Sequence, residues 1–172
     1  MSHFIPFPLL FTERLALRQM TISDDNEVFF LRSDPEVMEF LDTPIATSAA
    51  DAREYIIKIN NGILHNDWIL WGIENNGSSK LIGSICLWNF NEEKTVAEIG
   101  YVLHPDQQGR GLMQEALLSV ITYGFITIRL EKIVAHLHPG NKRSVRLLEK
   151  NNFMYEKQSG NMVVFALTRP LL

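Results

Sequence analysis

Between Tyr101 and Met113 the chain reads Tyr-Val-Leu-His-Pro-Asp-Gln-Gln-Gly-Arg-Gly-Leu-Met. An apolar run passes through Pro105 into the turn Gly109-Arg110-Gly111 and out into a helical pattern. Two glycines let a backbone approach a ligand closely. A helix start offers unpaired N–H groups and the positive end of the helix dipole. Together they suit an anion, and a pyrophosphate in particular. A P-loop would continue with Lys-Ser/Thr, whereas Gly111 is followed by Leu112. A dinucleotide fingerprint would place a third glycine where Gln114 stands, although Glu131 lies at the distance of its acidic residue. On these residues alone an ordinary strand-to-helix turn is an equal reading.

Few other side chains suggest chemistry by themselves. Cys86 lies in an apolar run beside Trp88, where a small buried hydrophobe is expected. As the only cysteine it allows no intrachain disulfide, and a reducing cytosol is the expected setting. His136 and His138 share one face of a strand pattern, without the Cys or carboxylate company of a metal site. Trp71 and Trp88 read as core or cleft wall. The chain of 172 residues is 46% hydrophobic and 21% charged, with a net charge of −4, which describes a globular domain with a full core. No basic block points to nucleic acid. The N-terminus lacks the features of a signal peptide, and no run approaches a membrane span.

The elements that must position these residues follow from periodicity. Glu13 to Met20 alternates as a strand, and Ser23 with Asp24 starts a helix carrying Val28, Phe29 and Leu31. Pro35 opens a short helix through Phe40. Ser48-Ala-Ala-Asp51 resembles a capping box before a helix that buries Ala52, Tyr55, Ile56, Ile59 and Ile63. Three strands follow, over 68–74, 80–90 and 95–103, with a tight turn at Asn76-Gly77. A helix over 111–127, a strand over 132–138, a helix over 141–151 and a hairpin over 153–158 and 162–168 complete the chain. This order mixes antiparallel pairing with one helical crossover, so the class is α+β with a mixed, mostly antiparallel central sheet of about seven strands and helices on both faces.

The order and its motifs resemble the GNAT superfamily of acetyl-CoA-dependent N-acetyltransferases. Leu10-Phe-Thr-Glu-Arg-Leu-Ala-Leu-Arg18 looks like the opening of the RimJ/RimL branch, which acetylates protein N-termini, and Ser33-Asp-Pro-Glu-Val-Met38 continues it. Ile82-Gly-Ser84 and Ala97-Glu-Ile-Gly-Tyr101 also match that branch. Gln108-Gly-Arg-Gly-Leu-Met113 is similar to the pyrophosphate motif, with Met113 in place of a small residue. Asn141-Lys-Arg-Ser144 and Leu148-Glu-Lys-Asn-Asn-Phe153 resemble the Asn-x-x-Ser…Glu-Lys-x-Gly-Phe segment. Asn152 replaces its glycine and tolerates positive φ better than most residues. The resemblance spans nearly the whole chain and implies one N-acetyltransferase domain over 1–172.

The resemblance further implies a set of roles. Glu98 matches a strand glutamate that serves as base, directly or through water; alternatively it pairs a surface cation. Backbone groups of Tyr101 and Leu103 match those that pair with the pantetheine amides, and a bulge or splay there would free an N–H to polarise the thioester. Gln108, Gly109, Arg110, Gly111, Leu112 and Met113 would hold the pyrophosphate through their amides. The Arg110 side chain either reaches a phosphate or is a solvated loop cation. Asn141 either bonds the cofactor arm or caps a helix. Leu148 stands where many members carry an acid tyrosine, and Ser144 matches a serine given that role in the RimL type, or is a surface hydroxyl.

The expected reaction moves an acetyl group from acetyl-CoA, the donor cosubstrate, to a primary amine by direct attack in a ternary complex, without a metal. A protein N-terminal α-amine of ribosomal-protein type is the favoured acceptor. A small-molecule amine such as a polyamine or antibiotic, or a catalytically weak acyl-CoA-binding module, is the alternative. No nucleic acid or membrane partner is expected, the protein is expected in the cytoplasm, and a homodimer is left open. The final hairpin is short for the RimJ/RimL branch.

Overall fold

A computed structural model describes residues 4–170; the first three residues of the N-terminal reading lie outside it. Its strands are β1 (Leu10–Phe11), β2 (Leu15–Arg18), β3 (Ile69–Asn75), β4 (Leu81–Trp88), β5 (Val96–Leu103), β6 (Lys132–Leu137), β7 (Met154–Ser159) and β8 (Met162–Thr168). Its α-helices are α1 (Asp25–Leu31), α2 (Pro35–Met38), α3 (Ala49–His65), α4 (Leu112–Tyr123) and α5 (Lys142–Lys150). The strands form one sheet in the order β1-β2-β3-β4-β5-β6-β8-β7. Every neighbouring pair is antiparallel except β5 and β6, which are joined through α4 and run parallel.

Helices cover both faces, and the strand register says which. Trp71 pairs with Ile85, and Ile85 with Tyr101. Trp71 meets Tyr123 of α4 edge-on at 5.3 Å, so this row of side chains faces α4. Leu70, Cys86 and Gly100 form the neighbouring row on the opposite face, and the Cys86 thiol there lies within electrostatic reach of Tyr55 from α3. Ile69, Trp71, Ile73, Ile85, Leu87, Ala97 and Ile99 are almost fully buried with Leu117 and Val120 in the α4-side layer. Burial of that much aliphatic surface is the main force holding the sheet to the helices.

The structure departs from the sequence expectation at several ends. The sheet has eight strands, because Leu10–Phe11 adds a two-residue rung on Leu17 and Ala16 that is too short for periodicity to show. The first helix is preceded by a 3₁₀ turn over Ile22–Asp24, and Asp24 does not cap α1: its carboxylate is held by Arg18 and by the Thr21 N–H. Ser48 caps α3 by accepting from Asp51 N, but the return bond goes one residue further out, with Asp51 accepting from Thr47 N at 2.8 Å. The helix expected over 111–127 widens into a π turn over Gly124–Ile128. There Gly124 packs so closely on Leu130 and Ile133 that a Cβ would sit 3.1 and 3.3 Å from them.

Candidate active site

β5 and β6 part company in the middle of the sheet. They pair only over Val96, Ala97 and Glu98, against Lys132, Ile133 and Val134. Beyond that rung β5 continues to Leu103 on β4, and β6 continues to Leu137 on β8. Both strands are therefore held from their outer sides while a gap opens between them. The carbonyl of Thr95 accepts from Glu131 N and Lys132 N, which fixes the odd residues of β5 as those whose backbone faces β6. Tyr101 and Leu103 thus turn their N–H and C=O groups into the gap, and the Leu103 carbonyl is met there by Gln108 Nε2 at 3.1 Å. This is the splay that the sequence expectation for these two residues needed.

The gap leads to the glycine turn. Gly109 and Gly111 sit at φ 72° and 76°, in the left-handed region where a Cβ is costly, and Gly111 is the N-cap of α4. The first amides of α4, Leu112 to Gln114, therefore open toward the same space. A distant residue braces the turn. Arg14 Nη1 donates to the Arg110 carbonyl at 2.9 Å and Arg14 Nε pairs with Glu115 Oε2 at 2.8 Å. Loss of water around Glu115 opposes its ionisation, yet bonds from Thr12 and Arg14 hold its carboxyl below the usual carboxylate range.

A cleft of about 920 Å³ joins these parts. Tyr101, Leu103, Gln108, Gly109, Gly111, Leu112, Met113, Asn141 and Ser144 all line it. Arg110 and Glu98 do not. The Arg110 guanidinium turns along its own loop to Gln107 Oε1 at 3.0 Å, which matches the loop-cation alternative. The cations at the cleft are instead Lys142, Arg143 and Arg146 on α5, with Arg143 bonded to Gln108 Oε1 and 3.6 Å from Glu36 Oε1. Sequence reasoning passed over these three, although Lys142 and Arg146 are four apart and so share a helix face.

At the N-terminus of α5, Asn141 Oδ1 accepts from Ser144 N at 3.2 Å, so its carbonyl oxygen is the helix cap. Its NH₂ group remains the atom suited to a cofactor arm. The Ser144 hydroxyl lies within electrostatic reach of the Tyr101 phenol, and both line the cleft. Burial pushes the Tyr101 phenol up to about 12, against the opposing effect of Ser144, so it stays protonated at any physiological pH. Leu148 is 1% exposed and belongs to the core.

Glu98 occupies the other face of β5, buried at 8% exposure in the row with Trp88. Both of its side-chain partners meet Oε2: Asn89 Nδ2 at 3.3 Å and His136 Nδ1 at 3.2 Å. Behind it, loss of solvent pushes the Cys86 thiol up to about 12, which makes it a poor nucleophile. His138 stacks on Phe40 at 5.7 Å, away from Glu98. Among the described residues no three His, Cys, Asp or Glu side chains gather into a metal-binding set.

The sequence that builds this splayed parallel pair, positive-φ glycine turn and helix start matches a known family profile. The profile described as "Acetyltransferase (GNAT) domain" matches residues 14–154. The chain belongs to the GNAT acetyltransferase family. An uncharacterized N-acetyltransferase of Bacillus licheniformis is 32% identical over 161 residues, 90% of each chain. A GNAT-family acetyltransferase structure from Bacillus anthracis superposes with a TM-score of 0.81 at 24% identity, covering 94% of this chain and 98% of the other. The structure of RimL ribosomal alpha-N-protein acetyltransferase in complex with coenzyme A gives 0.82 at 18% identity, covering 94% and 98%. This GNAT protein is an N-acetyltransferase, and acetyltransferases of this fold use acetyl-CoA. Among its described residues no helix is long and apolar enough to cross a membrane.

Proposed function

We propose that this GNAT acetyltransferase carries acetyl from acetyl-CoA to a protein N-terminal α-amine by direct attack in a ternary complex. The observation that supports this best is the single cleft that runs from the backbone edge of Tyr101 and Leu103 to the start of α4. Its groups answer the donor's chemistry in order. The β5 edge pairs with the pantetheine amides, as another strand would. Gln108, Gly109, Arg110, Gly111, Leu112 and Met113 present backbone amides to the pyrophosphate, and Lys142, Arg143 and Arg146 neutralise it. Asn141 donates to the cofactor arm. Ser144, beside Tyr101 in the cleft, supplies the proton that the leaving thiolate takes, since Leu148 has none to give.

The acceptor enters from the other face, where Glu98 provides the carboxylate of the proton-accepting side. An α-amine is an easier acceptor than a lysine: its ordinary pKa is near 8 rather than about 10.4, so a useful fraction is neutral at pH 7. The β7–β8 hairpin turns through only Gly160 and Asn161, which leaves the β6 surface beside Glu98 open to an acceptor that is part of a chain. The RimL structure is named for action on a ribosomal protein's α-amine, in line with this acceptor class. The one sheet and its continuous core support reading 1–172 as one catalytic domain, and a free Cys86 suits a reducing cytoplasm.

Thermal unfolding with acetyl-CoA, ATP or NAD tests the donor. Acetyl-CoA at 100 times its Kd should add about 2.7 kcal/mol, while ATP and NAD add nothing comparable. A shift with ATP alone would overturn the assignment. Thiol release with a free N-terminal peptide, spermidine and an aminoglycoside then tests the acceptor, and preference for either small amine would replace the N-terminal reading.

A further inference from the structure

As a class, imidazoles are better matched than carboxylates to an α-amine's proton, because general-base efficiency improves as the base's basicity approaches that needed at the working pH. Glu98 is buried, while the side chain next to it is not: His136 is 34% exposed. The two meet through a single ring nitrogen, with His136 Nδ1 at 3.2 Å from Glu98 Oε2, which leaves Nε2 as the nitrogen on the far side of the ring.

The register places that ring at the reaction level. In the parallel pair Glu98 stands against Val134, the last rung before the strands separate. Carried two residues further along each strand, the same register sets Gly100 level with His136 on the face that bears Glu98. Gly100 has no side chain to fill the opening, and its rung partner Cys86 already crowds that face, since a Cβ on Gly100 would lie 3.3 Å from Cys86 Sγ. The β5 side of the opening is thus left unfilled, and on the β6 side the imidazole stands next to Glu98 on the same face.

We propose that the proton acceptor of this enzyme is a Glu98–His136 dyad in which His136 Nε2 takes the amine's proton and Glu98 acts through it. The Glu98 carboxylate accepts from Nδ1–H, which fixes the tautomer with a lone pair on Nε2 and stabilises the imidazolium that forms. Asn89 donates to the same Oε2 and keeps the carboxylate turned toward the ring. The bound ammonium gives one proton to Nε2, which passes it to water. The nitrogen lone pair then forms the C–N bond as the C–S bond breaks. The nitrogen loses its second proton and the sulfur gains one, so the products are the amide, the thiol and one proton in solution.

The inference rests on the acetyl-transfer reading above. The charged groups around His136 are Glu98 on β5, Glu156 at the β7 bulge, Lys132 on its own strand and paired to Glu156, and Lys157 beside Glu156.

The test is kcat/KM for a free N-terminal peptide across pH 5.5–9, with acetyl-CoA binding measured in parallel, for the wild type, His136→Gln and Glu98→Gln. His136→Gln should bind acetyl-CoA normally, lose about 10²–10⁴-fold at pH 7 and regain much of that by pH 9, where the amine is already neutral. Glu98→Gln should lower the rate at pH 7 yet keep a low-pH limb, because the imidazole that takes the proton is still present. A limb that survives in His136→Gln and vanishes in Glu98→Gln would make Glu98 itself the base and overturn the proposal. So would near wild-type rates in His136→Gln at every pH. If His136→Gln does not fold, the limb in Glu98→Gln decides: a limb retained at a reduced rate supports the dyad, a limb abolished refutes it. No thiol release by the wild type with any amine would instead overturn the functional reading, and the dyad with it.

Discussion

Glu98 and Val134 form the last rung on which β5 and β6 are neighbours, and three residues later Tyr101 turns its backbone into an open gap. The divide between sheet and active site therefore falls within one strand. On one side of it Val96 to Glu98 are ordinary parallel sheet. On the other, the same strand offers its edge to a ligand while β4 keeps it rigid. An edge held this way costs a ligand little ordering entropy on the protein side.

Replacement of Gly109 or Gly111 by valine should weaken acetyl-CoA more than it weakens the fold. Both positions have positive φ, where a β-branched residue is strained by about 1–2 kcal/mol. Packing adds little to that, since a Cβ on Gly109 meets nothing within 4 Å and one on Gly111 meets only Arg14 at 3.5 Å. The expected outcome is at least a tenfold rise in KM for acetyl-CoA with a modest fall in Tm. Thermal melts beside initial rates separate the two effects.

The α5 cations should matter more than the loop arginine. Lys142→Ala and Arg146→Ala together should raise KM for acetyl-CoA by about tenfold or more and flatten its dependence on salt, because two phosphate-facing charges are gone. Arg110→Ala, which removes a side chain bonded to Gln107, should change KM less. Titrating acetyl-CoA at two ionic strengths checks both.

Tyr101→Phe should lower kcat several-fold and leave KM for acetyl-CoA near its starting value, because the phenol beside Ser144 is lost while the backbone edge is kept. With the phenol pushed up to about 12 by burial, the deficit should be constant from pH 6 to pH 9. A deficit that vanished within that range would mean the phenol titrates there.

Much of the local chemistry was legible in the sequence because it is short-range. Asn152 does adopt φ 63°, the glycine turn does hold two left-handed residues, and Asn141 does cap its helix three residues ahead of Ser144. What escaped the sequence is what folding brings together. Arg14 braces a loop about a hundred residues away through Glu115, and Tyr101 and Ser144 come to one cleft from different elements. The end of β5–β6 pairing leaves no mark on either strand's alternation, since both remain paired on their outer sides. The sequence leaves the Arg110 side chain open between a phosphate and a solvated loop position. Yet its backbone direction is set by Gly109 and Gly111, and its side chain finds Gln107 instead.

Asp24 gives a pH-dependent stability term. Burial opposes its ionisation, but Arg18, in bonds of 2.9 and 2.8 Å, and the Thr21 N–H at 2.7 Å more than offset this and lower its pKa. A carboxylate whose folded pKa is depressed contributes stability that is present above its unfolded pKa, near 3.9, and is lost as pH falls through the folded value. Asp24→Asn should therefore destabilise by about 3 kcal/mol at pH 7, since among the described residues it leaves Glu74 as the one carboxylate on the Arg18 guanidinium. The difference from wild type should shrink below about pH 4. Urea unfolding at pH 7 and pH 3.5 measures it.

The most direct measurement is thiol release from acetyl-CoA with two otherwise identical peptides, one with a free N-terminus and no lysine, the other N-terminally blocked with a single lysine. Rapid release with the first, with one acetyl group found on its α-amine by mass spectrometry, and little with the second is the expected result. Equal rates with both peptides, or release only with the lysine peptide, would contradict an enzyme built to acetylate α-amines.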